Sequence, residues 1–455
     1  MISTVWIDSL ERVLRKNGSP VIERLSDDEN IVELLSAANI WTLALERKKK
    51  LRTQGMRPGD ILCEASDSKE LIVNLVACAM GKFIYWPLKK SEINKFLTTT
   101  EDIGHNFFLI DKSITSKVAR PDINCNFITP ETVLLLSTSG TSGKERIIGF
   151  TGSSLLHQIE NINRGLHCQQ ESGRLIVLPL HHCFGLILDF LAGLFAKQQL
   201  HLRNTGLFSP EKILKVITEN DITHLSLVPR MLDLMIYYSE KNPDAIKQFK
   251  KIQLHVGGAV ISENLKNKAS NLFGEFIEGY GLTECAGGVL LNGKPNGCEV
   301  RLKPVDEVKS NVFELWIKSE SLGHFTNQDE WKDSEGFLKT TDLVEVKNNG
   351  DYRVLGRSGS LIKTTQGVWT QISDIEEIIK KNFSLSFFHL EKQDGHLNLL
   401  ASSNDFNIEL LQYFEKNYGL DCKISNFHSG DLEKILLGSQ KKSTSEAVCE
   451  WHKEK

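Results

Sequence analysis

The sequence predicts an α/β protein: a large N-terminal domain of helix-covered, mostly parallel sheets with a small β subdomain, then a small α+β C-terminal domain. Three observations predict this class. Short apolar runs alternate with helix-like segments to about residue 260, which is the rhythm of parallel sheets. From about residue 311 short alternating strands follow one another. A glycine- and serine-rich segment at 356–360 then precedes the last part of the chain, so we expect domains over 1–357 and 358–455.

The predicted elements follow from periodicity and from turn residues. Residues 31–54 have helical spacing, and a turn at 57–60 leads into an apolar strand. A second helix is predicted over 68–80. The predicted strands are 61–63, 83–86, 133–136, 175–178, 222–228, 252–256, 312–317, 344–346 and 352–355. In the small C-terminal domain we predict helices over 373–381 and 405–418.

Composition and charge exclude several classes of protein. The chain of 455 residues is 40% apolar and 25% charged, with a formal net charge of -4. Because no broad basic field is present, we expect no nucleic-acid partner. The longest apolar stretch, residues 184–196, is interrupted by Asp189 and is too short to span a bilayer.

Cysteine usage and the N-terminal segment bear on the compartment. The nine cysteines are scattered without a C-x-x-C pair, which suits a reducing compartment better than a disulfide scaffold. The first residues carry early charges and lack the basic region and apolar core of a signal peptide. We therefore expect a cytoplasmic protein.

The segment from Ser137 to Arg146 reads Ser-Thr-Ser-Gly-Thr-Ser-Gly-Lys-Glu-Arg and follows a strand-like run. Its glycines let backbone N–H groups face an anion, its hydroxyls add donors and its basic residues add charge. This combination suits a triphosphate. The spacing of the Walker loop is absent, which disfavours a P-loop NTPase. On its own the segment also fits an ordinary polar turn.

Further segments carry groups suited to a nucleotide. Tyr280 offers a ring that stacks on a purine, and Glu284 offers a carboxylate for Mg²⁺. Asp342 offers a carboxylate for ribose hydroxyls, and Arg357 offers a guanidinium for the sugar or a phosphate. Each of these residues, taken alone, also fits a solvated surface loop.

In this order the motifs resemble the adenylate-forming superfamily of acyl- and aryl-CoA synthetases, peptide-synthetase adenylation domains and luciferases. The resemblance covers nearly the whole chain. The segments that carry it are 57–60 (Arg-Pro-Gly-Asp), 86–88 (Trp-Pro-Leu), 137–146, 179–185 (Pro-Leu-His-His-Cys-Phe-Gly), 257–259 (Gly-Gly-Ala), 280–284 (Tyr-Gly-Leu-Thr-Glu), 342, 356–357 (Gly-Arg) and 374–377 (Asp-Ile-Glu-Glu).

The resemblance implies ATP-dependent activation of a small carboxylic acid as its acyl-AMP, with Mg²⁺ bound. The acyl group then passes to a thiol, either CoA or the phosphopantetheine of a carrier protein in trans, as the small C-terminal domain rotates. The implied catalytic residues are Lys442, Glu284 (also the metal ligand), Thr283 and His182. The implied nucleotide- and acid-binding residues are Thr138, Ser139, Gly140, Thr141, Ser142, Gly143, Arg146, Gly257, Gly258, Ala259, Tyr280, Gly281, Asp342 and Arg357.

The chain departs from the family pattern at several places, of which three concern predicted site residues. The phosphate loop usually ends Pro-Lys-Gly, whereas residues 145–147 read Glu-Arg-Ile. The usual Thr-Gly-Asp reads Thr-Thr-Asp over 340–342. The C-terminal Pro-x-x-x-x-Gly-Lys signature is missing, and we favour Lys442 over Lys441 because its spacing to Val448 matches the family.

The residues after His182 bear on the acid. They are apolar as far as Asp189, so an acyl or aryl acid fits better than an α-amino acid, whose buried amine would lack a partner. Asp189 itself is expected to cap or pair locally. The wall at 257–259 leaves room for a flat ring or a chain. The short length resembles compact stand-alone ligases, including those of secondary metabolism.

Three other interpretations stay open at this point. In the first, the chain is a degenerate family member that binds nucleotide without turnover, which the altered phosphate loop and lysine segment would allow. Alternatively it activates an amino acid. A zinc enzyme built on residues 181–183 is disfavoured, because adjacent residues do not converge easily on one ion.

Overall fold

The fold is taken from a computed structural model of the chain. It describes residues 4–15, 21–25, 31–65, 70–89, 92–93, 97–98, 106–111, 114–119, 125–139, 145–169, 172–203, 208–243, 245–305, 311–326, 330–357, 361–363, 369–371, 375, 388–393, 396–402 and 422–427.

Hydroxyl side chains begin several of the helices. In α2, α4, α6 and α9 the residue before the first turn is a serine or threonine whose hydroxyl accepts a hydrogen bond from the backbone N–H three residues later. The α-helices are α1 (Thr4–Arg15), α2 (Ala37–Thr53), α3 (Leu71–Gly81), α4 (Gly152–Gly165), α5 (Ala192–Phe195), α6 (Pro210–Glu219), α7 (Pro229–Lys241), α8 (Ala245–Phe249) and α9 (Glu263–Leu272). A π-helix spans Phe184–Leu191, and a 3₁₀ turn spans Thr283–Cys285.

The strands form two large sheets and several smaller ones. They are β1 (Val21–Leu25), β2 (Ile31–Ser36), β3 (Ile61–Ala65), β4 (Ile84–Leu88), β5 (Leu97–Thr98), β6 (Phe107–Asp111), β7 (Ile114–Ala119), β8 (Thr132–Ser139), β9 (Glu145–Thr151), β10 (Gly173–Ile176), β11 (Gln199–Leu202), β12 (Ile222–Leu227), β13 (Gln253–Val256), β14 (Glu275–Leu282), β15 (Gly287–Leu291), β16 (Lys294–Pro295), β17 (Glu299–Pro304), β18 (Val312–Lys318), β19 (Leu338–Val346), β20 (Tyr352–Arg357), β21 (Leu361–Lys363), β22 (Trp369–Gln371), β23 (Phe388–Gln393), β24 (His396–Ser402) and β25 (Cys422–Phe427).

The nine-stranded sheet has the order β16-β15-β14-β13-β12-β10-β11-β1-β2. Its central pairs are parallel, from β1 with β11 through to β13 with β14, and antiparallel pairs close both edges. Buried side chains of β12 and β13, such as Leu225 and Leu254, join those of the helices, such as Ile213 and Leu232, in one apolar core. The parallel strands therefore end together at one edge, beside the turns that carry the predicted motifs.

The seven-stranded sheet has the order β5-β7-β6-β3-β4-β8-β9. Strands β6, β3, β4 and β8 are parallel, and β8 with β9 forms an antiparallel hairpin. A second apolar core that includes Ile61, Trp86, Phe107 and Leu135 packs on this sheet. The predicted α/β class with mostly parallel sheets is confirmed.

The chain divides into two compact units, one of Met1–Val300 with Ile317–Leu338 and one of Arg301–Trp316 with Lys339–Lys455. A four-stranded sheet in the order β17-β18-β19-β20 confirms the predicted run of short strands from about residue 311. The smaller sheets are β21-β22 and β23-β24-β25. The predicted division at 357/358 stays a prediction. Of the predicted helices at 373–381 and 405–418, Ile375 alone is described, and it is helical and buried.

Two local predictions were wrong. Residues 31–36 form strand β2 rather than the start of a helix, because they pair antiparallel with β1 and Ser36 caps α2. The strand predicted to end at residue 86 includes Pro87, since β4 continues to Leu88 and Pro87 lies opposite Glu64 in a parallel ladder. In the described part of the chain, no helix combines the length and the hydropathy that a bilayer crossing needs.

Candidate active site

The predicted phosphate loop connects the two strands of a hairpin. Strands β8 and β9 pair antiparallel up to Ser139 opposite Glu145, and Thr138 lies opposite Arg146. The Oγ of Ser137 is shielded from solvent and has no hydrogen-bond partner among the described residues. Four of the predicted binding residues, at positions 140–143, lie outside the described residues: Gly140, Thr141, Ser142 and Gly143. The hairpin thus brings hydroxyls and a guanidinium to the end at which the loop joins its two strands.

Arg146 reaches from the end of this hairpin to the predicted metal ligand. Its Nη1 donates to Oε1 of Glu284 at 3.0 Å, although the two residues are 138 positions apart. The side chains are 27% and 18% exposed, so the pair is open to solvent on one side. The structure therefore brings two predicted site residues into direct contact.

A sharp reversal of the chain holds Glu284. Strand β14 carries Tyr280, which is half-buried, and ends at Leu282, and the 3₁₀ turn that contains Glu284 follows. Gly281 lies so close to the returning strand that a Cβ there would be 2.3 Å from the backbone oxygen of Gly287. Glycine at 281 is therefore a packing requirement of the turn.

The second predicted motif approaches the same turn. The Sγ of Cys183 lies 3.5 Å from Oγ1 of Thr283, and either atom is able to donate. His182 precedes Cys183, is half-buried, and its ring lies 4.0 Å from that of His181. The structure thus brings the 179–185 segment and the 280–284 segment together in the first unit.

The predicted acyl wall lies at the end of β13. Gly258 has a φ of +85°, a backbone conformation that glycine adopts without strain. The Phe184 ring faces this wall, since a Cβ on Gly257 or Gly258 would lie 3.5 or 3.9 Å from its carbons. Gly257 is buried, whereas Gly258 and Ala259 are exposed. Phe184 therefore stands against the wall that the sequence assigns to the acid.

Asp189, which the sequence left to local pairing, lies in a buried polar network. Its Oδ1 accepts hydrogen bonds from Nη1 of Arg174 at 2.8 Å and from Oγ of Ser226 at 3.1 Å. Arg174 also donates to Gln198 Oε1 at 2.6 Å and to Cys168 Sγ at 3.0 Å. The Asp189 side chain is 0% exposed, so its carboxyl group lies in the protein interior and does not face solvent.

Two neutral histidines, His224 on β12 and His255 on β13, lie in the nine-stranded sheet. Burial lowers the pKa of His255 and of His224 to about 3, and the Arg174 charge adds a smaller lowering effect. The His255 ring lies edge-on to Phe184 at 5.0 Å between centroids. A Cβ on Gly279 would lie 2.2 Å from His255 Nε2. Burial also raises the pKa of the Cys285 thiol well above its ordinary value, which makes it a poor nucleophile.

The predicted ribose residues lie in the second unit. Asp342 is 5% exposed and pairs in register with Arg357 across β19 and β20, with Nε of Arg357 3.7 Å from Oδ1 of Asp342. The backbone N–H of Asp342 donates to Oγ1 of Thr340, which itself donates to the Leu315 carbonyl. Thr341 adopts a φ of +62°, which explains why the family usually has glycine there. Lys442 lies outside the described residues.

Sequence reasoning missed two aromatic residues at this site. The Arg146 guanidinium lies over the rings of Trp331 and Phe325, with its carbon 4.4 and 5.2 Å from their centroids. No motif marks either residue, and both are far from Arg146 in the chain. An arginine at the end of the loop, where the family usually has lysine, was the available signal.

Comparisons with known proteins cover the part of the chain that contains these motifs. A family model described as AMP-binding enzyme matches residues 110–312, which include the hairpin, the 179–185 segment and the turn at Glu284. This matched part of the chain belongs to the AMP-binding, adenylate-forming enzyme superfamily. Three predicted site residues, Asp342, Arg357 and Lys442, lie outside the residues that the family model matches.

Curated relatives of this AMP-binding protein carry the names of acid–CoA ligases. The 4-coumarate–CoA ligase-like 8 of Arabidopsis thaliana is 27% identical over 261 residues, which are 51% of this chain and 46% of the relative. The 2-succinylbenzoate–CoA ligase of Bacillus subtilis is 24% identical over 378 residues, which are 72% of this chain and 74% of the relative. The chain spans about half the length of most of the curated relatives it matches.

Solved structures show the same fold. ATP-bound MatB from Rhodopseudomonas palustris superposes with a TM-score of 0.72 at 16% identity, over 92% of this chain and 95% of that one. The o-succinylbenzoate CoA synthetase of Bacillus subtilis, in complex with its acyl-adenylate intermediate, superposes with a TM-score of 0.72 at 17% identity. The superposition covers 96% of this chain and 98% of that one. The AMP-binding protein therefore has the fold of these enzymes.

Proposed function

We propose that this protein activates a carboxylic acid with ATP as its acyl-AMP, releases pyrophosphate, and transfers the acyl group to a thiol. In the first half-reaction a carboxylate oxygen forms a bond to the α-phosphorus, and the bond between that phosphorus and the bridging oxygen of pyrophosphate breaks. In the second, a thiolate forms a bond to the acyl carbon and AMP leaves. Such chemistry asks the protein chiefly to position anions and to offset their charge.

The contact between Arg146 and Glu284 carries this proposal. It joins the end of the candidate phosphate hairpin to the candidate metal ligand at 3.0 Å. The approach of Cys183 to Thr283 adds the segment of the candidate acid pocket to the same turn. Three motifs that are remote in the sequence thus supply a cation, a carboxylate and hydroxyls to one region, as a reaction between two anions requires.

Glu284 fits the role of a magnesium ligand. Mg²⁺ is usually held by one or two carboxylates together with substrate phosphates, and Glu284 offers a partly exposed carboxylate beside the hairpin. Within the described residues no group of three His, Cys, Asp or Glu side chains is arranged to hold an ion. When bound, Mg²⁺ would offset the charge of the phosphates.

The remaining roles follow the family resemblance. We assign the hydroxyls and backbone of 138–143 and the charge of Arg146 to the β- and γ-phosphates. Thr283 is assigned to the α-phosphate and Tyr280 with Gly281 to the adenine. Asp342 and Arg357 are assigned to the ribose, and Lys442 to the carboxylate and α-phosphate during adenylation. His182, Gly258 and Ala259 are assigned to the border of the acid pocket.

The acid is proposed to be an acyl or aryl acid. An α-amino acid would need an acidic partner for its ammonium group, and the nearest candidate in sequence, Asp189, is bound by Arg174 and Ser226 at full burial. Phe184 and the glycines of β13 offer apolar surface instead. The curated relatives are named for aryl and fatty acids, which supports the same class.

CoA is the proposed thiol, since the relatives' names specify CoA ligases. A carrier protein in trans remains the alternative acceptor. The predicted rotation of residues 358–455 between the half-reactions stays a prediction.

The test is pyrophosphate release from Mg-ATP across benzoic, cinnamic, short-, medium- and long-chain fatty, and amino acids, with hydroxylamine to trap the acyl-AMP. Release with aryl or fatty acids alone would support the proposal. Release with amino acids alone would overturn the assignment of the acid. Bound ATP without release for any acid would favour a degenerate, nucleotide-holding protein.

A further inference from the structure

A segment of the first unit connects β9 to the turn that carries Glu284. His324 and Gly149 exchange two backbone hydrogen bonds of 2.8 Å, and the N–H of Gly323 donates to the backbone oxygen of Glu284 at 2.8 Å. A Cβ on Gly323 would lie 2.4 Å from Ile148 Cγ2, so the approach is as close as glycine allows. This bridging segment, residues 321–326 and 330–332, therefore fixes the distance between the two sides of the candidate phosphate site.

The bridging segment supplies both rings that flank Arg146. Phe325 is 1% exposed and forms a fixed wall, and Trp331 is half-buried with its ring centroid 4.4 Å from the guanidinium carbon. An aromatic face within about 6 Å attracts a cation through its quadrupole. Arg146 thus has two sources of attraction, the aromatic rings and the Glu284 carboxylate.

The backbone next to Trp331 is held by a turn that does not involve Arg146. Directly after it, Lys332 pairs with Leu338 in a short antiparallel bridge. The Asp333 carboxylate accepts hydrogen bonds from the N–H groups of Glu335 and Phe337, at 3.0 and 2.9 Å. This closed turn holds the backbone next to Trp331, and the indole extends from it to the Arg146 guanidinium.

The two attractions on Arg146 differ once the site is loaded. A bound Mg²⁺ would draw on the Glu284 carboxylate and weaken its ion pair with Arg146, whereas the rings would be unaffected. An arginine stacks on an indole through its planar guanidinium, which lysine does less well. This difference accounts for arginine at a position where the family usually has lysine.

We propose that Trp331 is a positioning residue, which holds the Arg146 guanidinium at the end of the hairpin so that it meets the β- and γ-phosphates of ATP. This inference rests on the proposed function, because it takes the hairpin to be the triphosphate site.

The test is calorimetric titration of the full chain with Mg-ATP, Mg-pyrophosphate and AMP, for wild type, Trp331→Leu, Trp331→Phe, Arg146→Ala and the double variant Trp331→Leu/Arg146→Ala. We expect Trp331→Leu to weaken Mg-ATP and Mg-pyrophosphate about tenfold and to leave AMP unchanged. Trp331→Phe restores most of the affinity. In the Arg146→Ala background the Trp331→Leu substitution has no further effect on affinity, because the guanidinium that Trp331 positions is absent.

A matched control is Tyr237→Leu, which removes a surface ring that Lys241 covers at 4.1 Å on α7, and it should leave all three affinities unchanged. Equal Mg-ATP affinity of Trp331→Leu and wild type overturns the inference. So does an equal loss for AMP, which would indicate general damage to the fold. If wild type binds neither Mg-ATP nor Mg-pyrophosphate, the proposed function fails, and the inference with it.

Discussion

The ion pair between Arg174 and Asp189 is the most deeply buried charge contact described in the first unit, with side chains 1% and 0% exposed. Removing one partner of such a pair leaves the other charge without compensation in the interior. We expect Asp189→Ala to lower the free energy of unfolding by about 3–5 kcal/mol. Urea unfolding measures this change.

The control for that variant is Glu160→Ala. Glu160 and Arg164 form a surface pair on α4 with side chains 77% and 70% exposed, and such pairs contribute little. A loss for Asp189→Ala no larger than that for Glu160→Ala would show that Arg174 finds another partner and would contradict the assignment.

Thr341 is a β-branched residue with a φ of +62°, which is unfavourable for any residue with a Cβ. Thr341→Gly should therefore raise the stability of the second unit by about 1 kcal/mol, the usual scale of such backbone effects. Thermal unfolding reports the change. Lys339→Gly, an exposed position on the same strand without a positive φ, should lower stability instead. A loss in both variants would mean that Thr341 makes a contact worth more than its strain.

Asp342 is the residue assigned to the ribose, and it is buried beside Arg357. Hydrogen bonds to a charged group contribute about 1.5–3 kcal/mol, so Asp342→Ala should raise the KM for ATP roughly tenfold to a hundredfold. Steady-state kinetics at saturating acid measure this. Asp351→Ala, at the turn between β19 and β20, is the control and should leave KM unchanged. An unchanged KM in Asp342→Ala would remove this carboxylate from the site.

For single residues, the sequence predicted which residues belong to the candidate site better than it predicted which residues contact one another. The hydroxyls of the hairpin, Glu284 and Asp342 were recognisable because their motifs are local. The Arg146–Glu284 pair, the stacking on Trp331 and the burial of Asp189 depend on approaches between distant segments. No local pattern encodes those approaches, so they required coordinates.

Among the elements, β12 and β13 carry histidines whose ionisation couples to folding. His224 and His255 have folded-state pKa values lowered to about 3, against about 6.5 in an unfolded chain. The unfolded state therefore binds more protons between these values, and stability falls as the pH falls below about 6.5. From pH 7 to pH 5 we expect a loss on the order of 1–2 kcal/mol for each histidine.

The measurement is the free energy of unfolding as a function of pH for wild type, His224→Gln and His255→Gln. Each variant should show a shallower decline than wild type, whatever its absolute stability. His167→Asn is the control, because this histidine is exposed after α4, and its decline should match wild type. Wild-type slopes in both glutamine variants would mean that the buried rings accept protons in the folded state.

Element prediction succeeded where periodicity was unambiguous. The buried strands β8, β12 and β13 and the strands β18 and β20 lie within a few residues of their predicted bounds. Strand β17 was not predicted, and β19 begins at Leu338, well before its predicted start at residue 344. It failed at β2, because a short apolar run fits helix and strand equally well until its pairing with β1 is known. The π-helix at Phe184–Leu191 was also beyond prediction, since no periodicity marks its wider turns.

On the scale of the whole molecule, the family assignment rests chiefly on the first unit. The matched residues 110–312 contain the hairpin, the acid-pocket segment and Glu284, whereas Asp342 and Arg357 belong to the second unit. The order of motifs along the chain was sufficient to predict the superfamily. The acid and the thiol could not be predicted, because they depend on the shape of a pocket formed by several elements.

The central claim is that a carboxylate attacks the α-phosphate of ATP. It is tested most directly with the acid found active in the panel, labelled with ¹⁸O in its carboxylate, and mass analysis of the nucleotide product. Attack at the α-phosphorus followed by cleavage of the acyl–oxygen bond leaves one labelled oxygen on AMP, and this is the result we predict. Release of ADP, or of AMP without label, would contradict the account.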